Sequence, residues 1–275
     1  MTLEDSTRHC KNCGAPLDAE FCSRCGQRDL DFRRDWRGLT SEFFSSMFNL
    51  DGRVPRGIFE LLFRPGYNAK LFLEGKRVSQ IPPLRLFLFS SLIYFIWLTS
   101  GASISIAEGI AEGIADEMIE ESGLENDEST SDRGLAEKLE NPDAIMAEFN
   151  NWLPRVFLLS VPALALVTRF LFRKQEFALL EHLIVAMQLL TFVMLWRLLS
   201  SAIAWLSSFV SQPISDHIED VLAIWILLYP IFALRRIFAL SWPKSIVATL
   251  FLVPLFVTLF GIGVAAVMVL AIWIS

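Results

Sequence analysis

Cysteine is confined to the first 25 residues of this chain, and histidine occurs only three times in 275 positions. His9, His182 and His217 lie in three separate regions, which rules out a shared histidine metal site. The sequence has no G-x-S-x-G, H-E-x-x-H, Walker A loop or dinucleotide fingerprint. Those motifs carry the chemistry of nucleophilic hydrolases, zincins and nucleotide enzymes. No concentrated set of polar groups takes their place, so an enzyme is not expected.

Positive charge is scarce over long stretches. Residues 104–151 hold 14 acids against Arg133 and Lys138 alone, and 207–218 is almost free of Lys and Arg. The opening MTLEDSTRHCKNC is polar and the first apolar run begins after residue 80, so no secretory signal is expected. Elsewhere the basic residues are interleaved with acids, at a net charge of −6, so nucleic acid is not an expected partner.

Apolar residues are abundant instead. They make up 53% of the chain, with 23 Phe and 8 Trp, and the mean hydropathy is +0.47. Gathered into runs, they predict an all-α polytopic membrane protein. Five transmembrane segments are expected in a domain covering 84–275, at about 84–103, 152–172, 177–206, 219–239 and 246–274. An acidic outer loop, 104–151, separates the first two. Pro254, Gly261 and Gly263 interrupt the last segment. No polar connector divides it into two spanning lengths, so one kinked helix is expected there.

The head, residues 1–35, carries Cys10-Lys11-Asn12-Cys13-Gly14 and Cys22-Ser23-Arg24-Cys25-Gly26, two CxxCG knuckles eight residues apart. Two intervening residues let both sulfurs of a turn face one ion. The glycine that follows permits a positive φ, which brings backbone N–H groups towards the thiolates. Cys10, Cys13, Cys22 and Cys25 together match the closed tetrahedral set of a structural zinc ribbon, and Zn2+ is the expected cofactor. Thiolate-bound iron uses the same ligands; two disulfides or free thiols are the remaining readings. So small a head has almost no apolar core, and a bound metal would supply most of its folding free energy.

Between head and spans lies an amphipathic collar, residues 36–83. Trp36, Leu39, Phe43, Met47 and Leu50 recur at helical spacing. A second piece holds Ile58, Phe59, Leu61, Leu62 and Phe63 and stops at Arg64-Pro65-Gly66; a third runs from Tyr67 to Leu73. Arg53, Arg56, Arg64, Lys70, Lys76, Arg77 and Arg85 punctuate these pieces. Such a collar either lies on anionic headgroups of the bilayer or packs on the helical bundle. The series CxxCG…CxxCGQ (Cys10 to Gln27), FFSSMFNLDGRVPRGIFELLFRPG and FLEGKRVSQIPPLRLFLF resembles a family of bacterial multi-pass membrane proteins. Members of that family join an N-terminal zinc ribbon to several membrane helices, under a domain-of-unknown-function label. The resemblance covers roughly residues 10–100. It implies a bacterial inner-membrane protein and the same four cysteine ligands, and it brings no activity.

Lys and Arg placement sets the expected orientation. The head and collar are basic, Arg173-Lys174 falls between the second and third segments, and Arg235, Arg236 and Lys244 fall between the fourth and fifth. That bias predicts a cytoplasmic N-terminus and a periplasmic C-terminus, with the cysteines in a reducing compartment. Arg197 inside the third segment, and Glu181 and His182 near its start, are polar groups in apolar surroundings and therefore candidates for function. A bracing ion pair or an interfacial anchor is the plain alternative. The expected protein is thus a non-enzymatic membrane protein whose cytosolic zinc ribbon is structural or binds a cytosolic partner. A transporter or channel component built around Arg197 is the alternative reading, and a lipid-acting enzyme the third.

Overall fold

A computed structural model describes residues 8–29, 53–98, 142–209 and 212–274. The helix expected over 36–50 and the acidic loop up to residue 141 lie outside the described residues. Among the described residues there are seven helices. They are α1 (Arg53–Phe63), α2 (Tyr67–Leu73), α3 (Pro83–Trp97), α4 (Pro142–Leu171), α5 (Leu179–Ser208), α6 (Gln212–Ile237) and α7 (Trp242–Ile274). The only extended pairing described is two isolated bridges in the head.

Among the described residues, three of the five expected spans are long and apolar enough to cross a bilayer: Asn151–Leu171, Leu179–Ser207 and Trp242–Leu270. This corrects the count of five, and the physical reason is length. Helix α3 has 15 residues, about 22 Å at 1.5 Å per residue, against a hydrocarbon core of about 30 Å. In α6 the uncharged stretch between Asp220 and Arg235 holds 14 residues, about 21 Å by the same rise. The last span is one helix that runs through Pro254. Proline is accommodated there because its neighbours are apolar and the chain has no polar segment at which to leave the helix.

The described residues form two compact units, one within Met1–Ser91 and Ala165–Leu252, the other within Leu92–Leu164 and Val253–Ser275. The core of the first is α5, buried almost continuously from Ile184 to Phe192 and packed along α6. Phe192 stacks on Tyr229, and the Trp196 indole N–H donates to the Leu222 carbonyl at 2.8 Å. On the outer surfaces of α5, α6 and α7, Trp205, Leu227, Phe232, Leu250 and Phe251 stand exposed. A soluble protein does not present such a surface, whereas it matches hydrocarbon. In the second unit Phe157 of α4 meets Phe95 of α3 and Phe260 of α7 edge-on, both at 5.6 Å.

The collar docks on α6 through side-chain donors. The last turn of a helix leaves carbonyls without partners. Here the Tyr229 hydroxyl donates to Leu61 O at 2.9 Å, the Trp225 indole to Leu62 O at 3.2 Å and the Arg236 guanidinium to Pro65 O at 2.7 Å. Leu61 and Leu62 are buried, while Phe59 and Phe63 pair on the exposed side of α1 with centroids 5.1 Å apart. Gly66 turns the chain between α1 and α2 at φ 70°, and its Cα faces the Ala233 backbone. The Phe172–Phe177 turn is fastened to the same end of α6, since Phe172 and Phe177 pack on Phe238 at 4.1 and 5.1 Å. The basic turns at 64, 173–174 and 235–236 are thereby gathered at one end of α6.

Ala239 closes α6 at φ 50°, a left-handed conformation that glycine adopts without cost. Ala239→Gly is expected to raise unfolding stability by up to about 1 kcal/mol, since the αL penalty of an L-residue is about 1–2 kcal/mol. Chemical denaturation of the detergent-solubilised chain reads this; a loss of stability would contradict the strain argument.

Candidate metal centre

The head is built from one pattern used twice. In the first knuckle Cys10 N donates to Ala15 O and Gly14 N to Cys10 O, both at 2.8 Å; twelve residues on, Cys22 N donates to Gln27 O at 2.9 Å and Gly26 N to Cys22 O at 2.8 Å. His9 bridges to Pro16 and Phe21 to Arg28 with the same offset. Gly14 and Gly26 have φ of 75° and 71°. At these two positions the positive φ is what turns the knuckle back on itself.

The two turns bring four sulfurs together. All four Sγ atoms lie within 4.8 Å of one another, with Cys10–Cys25 and Cys13–Cys22 each at 3.5 Å. A tetrahedral site with metal–sulfur bonds of about 2.3 Å has sulfur–sulfur edges of about 3.8 Å. A disulfide needs about 2.05 Å. The spacing therefore fits four thiolates around one metal ion and not two S–S bonds. Cys10 and Cys22 are buried, Cys13 and Cys25 half-buried.

Two of the thiols, Cys22 and Cys13, are shifted in opposite directions. Backbone N–H groups of Cys25 and Arg24 point at the Cys22 sulfur and lower its pKa to about 6. At Cys13 the Ala15 N–H also favours the thiolate, but burial and the neighbouring Cys22, Cys25 and Cys10 outweigh it and raise the pKa to about 11. Cys22 thus loses its proton first, and a cation has to compensate the charge before Cys13 follows.

The head is also bound to the segment that leads into α3. Gln27, only 5% exposed, directly follows the second knuckle. Its Nε2 donates to Gly75 O at 2.7 Å, and its Oε1 accepts from Arg77 N at 3.0 Å and Val78 N at 3.3 Å. From the first knuckle, Asn12 Oδ1 accepts from Ser79 N at 3.3 Å. The segment is shaped to receive them by Gly75, at φ 89°, where Lys76 N reaches back to Leu71 O and closes α2.

The other polar candidates fall elsewhere. Glu181 Oε2 accepts the Ala178 N–H at 2.5 Å, the first-turn contact of α5. His182 is buried with its ring 5.9 Å from Phe238. Arg197 is half-buried on α5, and among the described residues no carboxylate pairs with it. These three are not brought into one site. Of the collar cations, Arg77 and Arg85 are buried, while Arg56, Arg64 and Lys70 are exposed. Gln27 and Tyr229 had no expected role; the only sequence signal for Gln27 was its place at the end of the CxxCGQ motif.

Among the described residues, the fold and site define a helical chain with three helices of membrane-spanning length and a four-cysteine cluster able to hold a metal ion. A family model described as "Protein of unknown function (DUF3667)" matches residues 51–95. The matched stretch holds α1, α2, the Gln27-bound segment and most of α3. No curated protein and no solved structure matches the chain.

Proposed function

We propose that the head is a structural zinc centre that braces the approach to α3 in a bacterial inner-membrane protein. The observation that carries this reading is the Gln27 side chain, whose three hydrogen bonds tie the second knuckle to Gly75, Arg77 and Val78. Backbone amides that would otherwise need water find their acceptor in the head. The head is then a fixed part of the protein and not a tethered recruiting module. Iron takes the same four thiolate ligands, and elemental analysis of the purified chain distinguishes the two metals.

Two further points support the membrane placement. The basic turns at 64, 173–174 and 235–236 share one end of α6, which makes that end cytoplasmic under the positive-inside rule. Helix α7 starts at that end with Trp242 and runs away from it, so the C-terminus comes to the periplasmic face. The exposed collar cations Arg56, Arg64 and Lys70 then face anionic headgroups. A cytosolic partner is the second reading for the head, and Phe21, 55% exposed with Arg28 5.9 Å above its ring, is the place for it. Transport through Arg197 gains no support from its surroundings, and no catalytic role is proposed for any residue.

Gln27→Ala separates bracing from metal binding. The variant is expected to keep one zinc per chain by elemental analysis. Amide exchange at 77 and 78 should rise about 10- to 100-fold, the equivalent of about 1–3 kcal/mol for an unmet buried donor. Unchanged exchange would refute the brace; loss of zinc would place Gln27 in the metal centre.

A further inference from the structure

We propose that the two basic turns at 172–177 and 235–244 form a binding site for the headgroup of an anionic phospholipid. The inference rests on the membrane placement proposed above and adds a site on it.

The two turns are held side by side by aromatic packing. Phe172 stacks on Phe238 with an interplanar angle of 17°, and the Gln175 amide reaches the Phe238 carbonyl at 3.5 Å. On this base stand Arg173, Lys174, Arg235 and Lys244, all exposed. Among the described residues none of the four pairs with a carboxylate. Four like charges on two adjoining turns repel one another, and the single exposed acid there, Glu176, leaves a clear positive excess. An anion relieves that repulsion.

The two arginines are pre-positioned for it. The Arg235 guanidinium lies 4.3 Å from the centroid of Trp242, and that of Arg173 lies 5.9 Å from the centroid of Phe170. Stacking on a ring fixes the plane of a guanidinium and leaves its N–H edge for a phosphate. The rings themselves are exposed, Phe170 at 68% and Trp242 at 46%. Below them the surface continues as Leu166, Ile246 and Val247, all exposed. Cationic edge, aromatic shelf and aliphatic wall follow the order of phosphate, glycerol and acyl chain in a lipid. Free phosphate or a nucleotide has no use for the aliphatic wall, which is why a lipid is the occupant.

Native mass spectrometry of the full chain in detergent tests the site. Dioleoyl phosphatidylglycerol, dioleoyl phosphatidylcholine and inorganic phosphate are titrated in turn. Wild type is expected to retain phosphatidylglycerol in preference to phosphatidylcholine, with inorganic phosphate failing to displace it. Arg173→Gln with Arg235→Gln should weaken retention by about 25-fold, taking about fivefold for each basic residue. The corresponding double lysine variant should recover part of it, having the charge without the fixed guanidinium plane, and Arg155→Gln, near the start of the Asn151–Leu171 span, should leave it unchanged. Equal retention of the two lipids, displacement by inorganic phosphate, or an equal loss in Arg155→Gln would each overturn the proposal. A double lysine variant as weak as the glutamine one would also do so, because the positive charge by itself should restore part of the retention. Failure of the wild-type chain to float with neutral phosphatidylcholine vesicles would instead overturn the membrane placement.

Discussion

Gly66→Ala is expected to destabilise the first unit by about 3 kcal/mol, more than other single-methyl additions among the described residues. Two independent costs fall on the same atom. The backbone sits at φ 70°, where an L-residue pays about 1–3 kcal/mol. A Cβ would also lie 2.7 Å from Ala233 O and 2.9 Å from Ala233 Cα, and a backbone cannot swing aside as a side chain does. Relief would mean lifting the α1–α2 turn off α6 and breaking the Tyr229, Trp225 and Arg236 donations to the Leu61, Leu62 and Pro65 carbonyls. Gly57→Ala provides the comparison. Its Cβ would meet only the Ile81 side chain, most closely at Cδ1, which can change rotamer, so a loss under about 1.5 kcal/mol is expected. Urea unfolding of both variants in detergent, followed by tryptophan fluorescence, measures the difference. A Gly66→Ala protein as stable as Gly57→Ala would contradict the docking described for α6.

Cys22→Ser should have the second large effect, and a different one. The Cys22 sulfur receives the Arg24 and Cys25 N–H groups and ionises before that of Cys13. Serine keeps the shape of the turn and loses the thiolate. Zinc content is expected to fall from about one per chain to near zero after dialysis. With it goes the binding free energy, about 10–16 kcal/mol for structural zinc peptides, that would hold so small a head together. Among the described residues of the head only Cys10, Leu17 and Cys22 are buried apolar residues, too few to fold without the metal. The α5–α6 core has its own packing and should survive. Because metal displaces protons from the thiols, apparent affinity in the wild type should also drop as pH falls. Near-unit zinc in Cys22→Ser would show that three cysteines suffice and that the fourth is a bystander.

The two outcomes reflect what could be read from the chain alone. The four-cysteine cluster is a local matter, since a CxxCG turn dictates its own geometry over five residues. The apolar runs behind α4, α5 and α7 were equally plain. Two shorter runs misled for a physical reason: hydropathy measures composition, and α3 and α6 have apolar composition over too few residues to span. Gln27 was the hardest to anticipate, because its partners lie 48 to 51 residues away. Nothing local distinguishes a glutamine that clamps a distant backbone from one that faces water. Tyr229 was hidden in the opposite sense. In an apolar helix it reads as one more lipid-facing aromatic, and only the fold shows its hydroxyl capping Leu61. The buried Arg77 and Arg85 make the same point about charge, whose sequence position does not say whether it meets headgroups or protein.

Hydrogen exchange of the full chain, with and without a zinc chelator, tests the central claim most directly. One zinc per chain is expected, and its removal should expose the amides of residues 77–79 together with the head while the amides of α5 and α6 keep their protection. A chain that carries no stoichiometric metal, or one whose 77–79 amides exchange at the same rate after the metal is stripped, would contradict it.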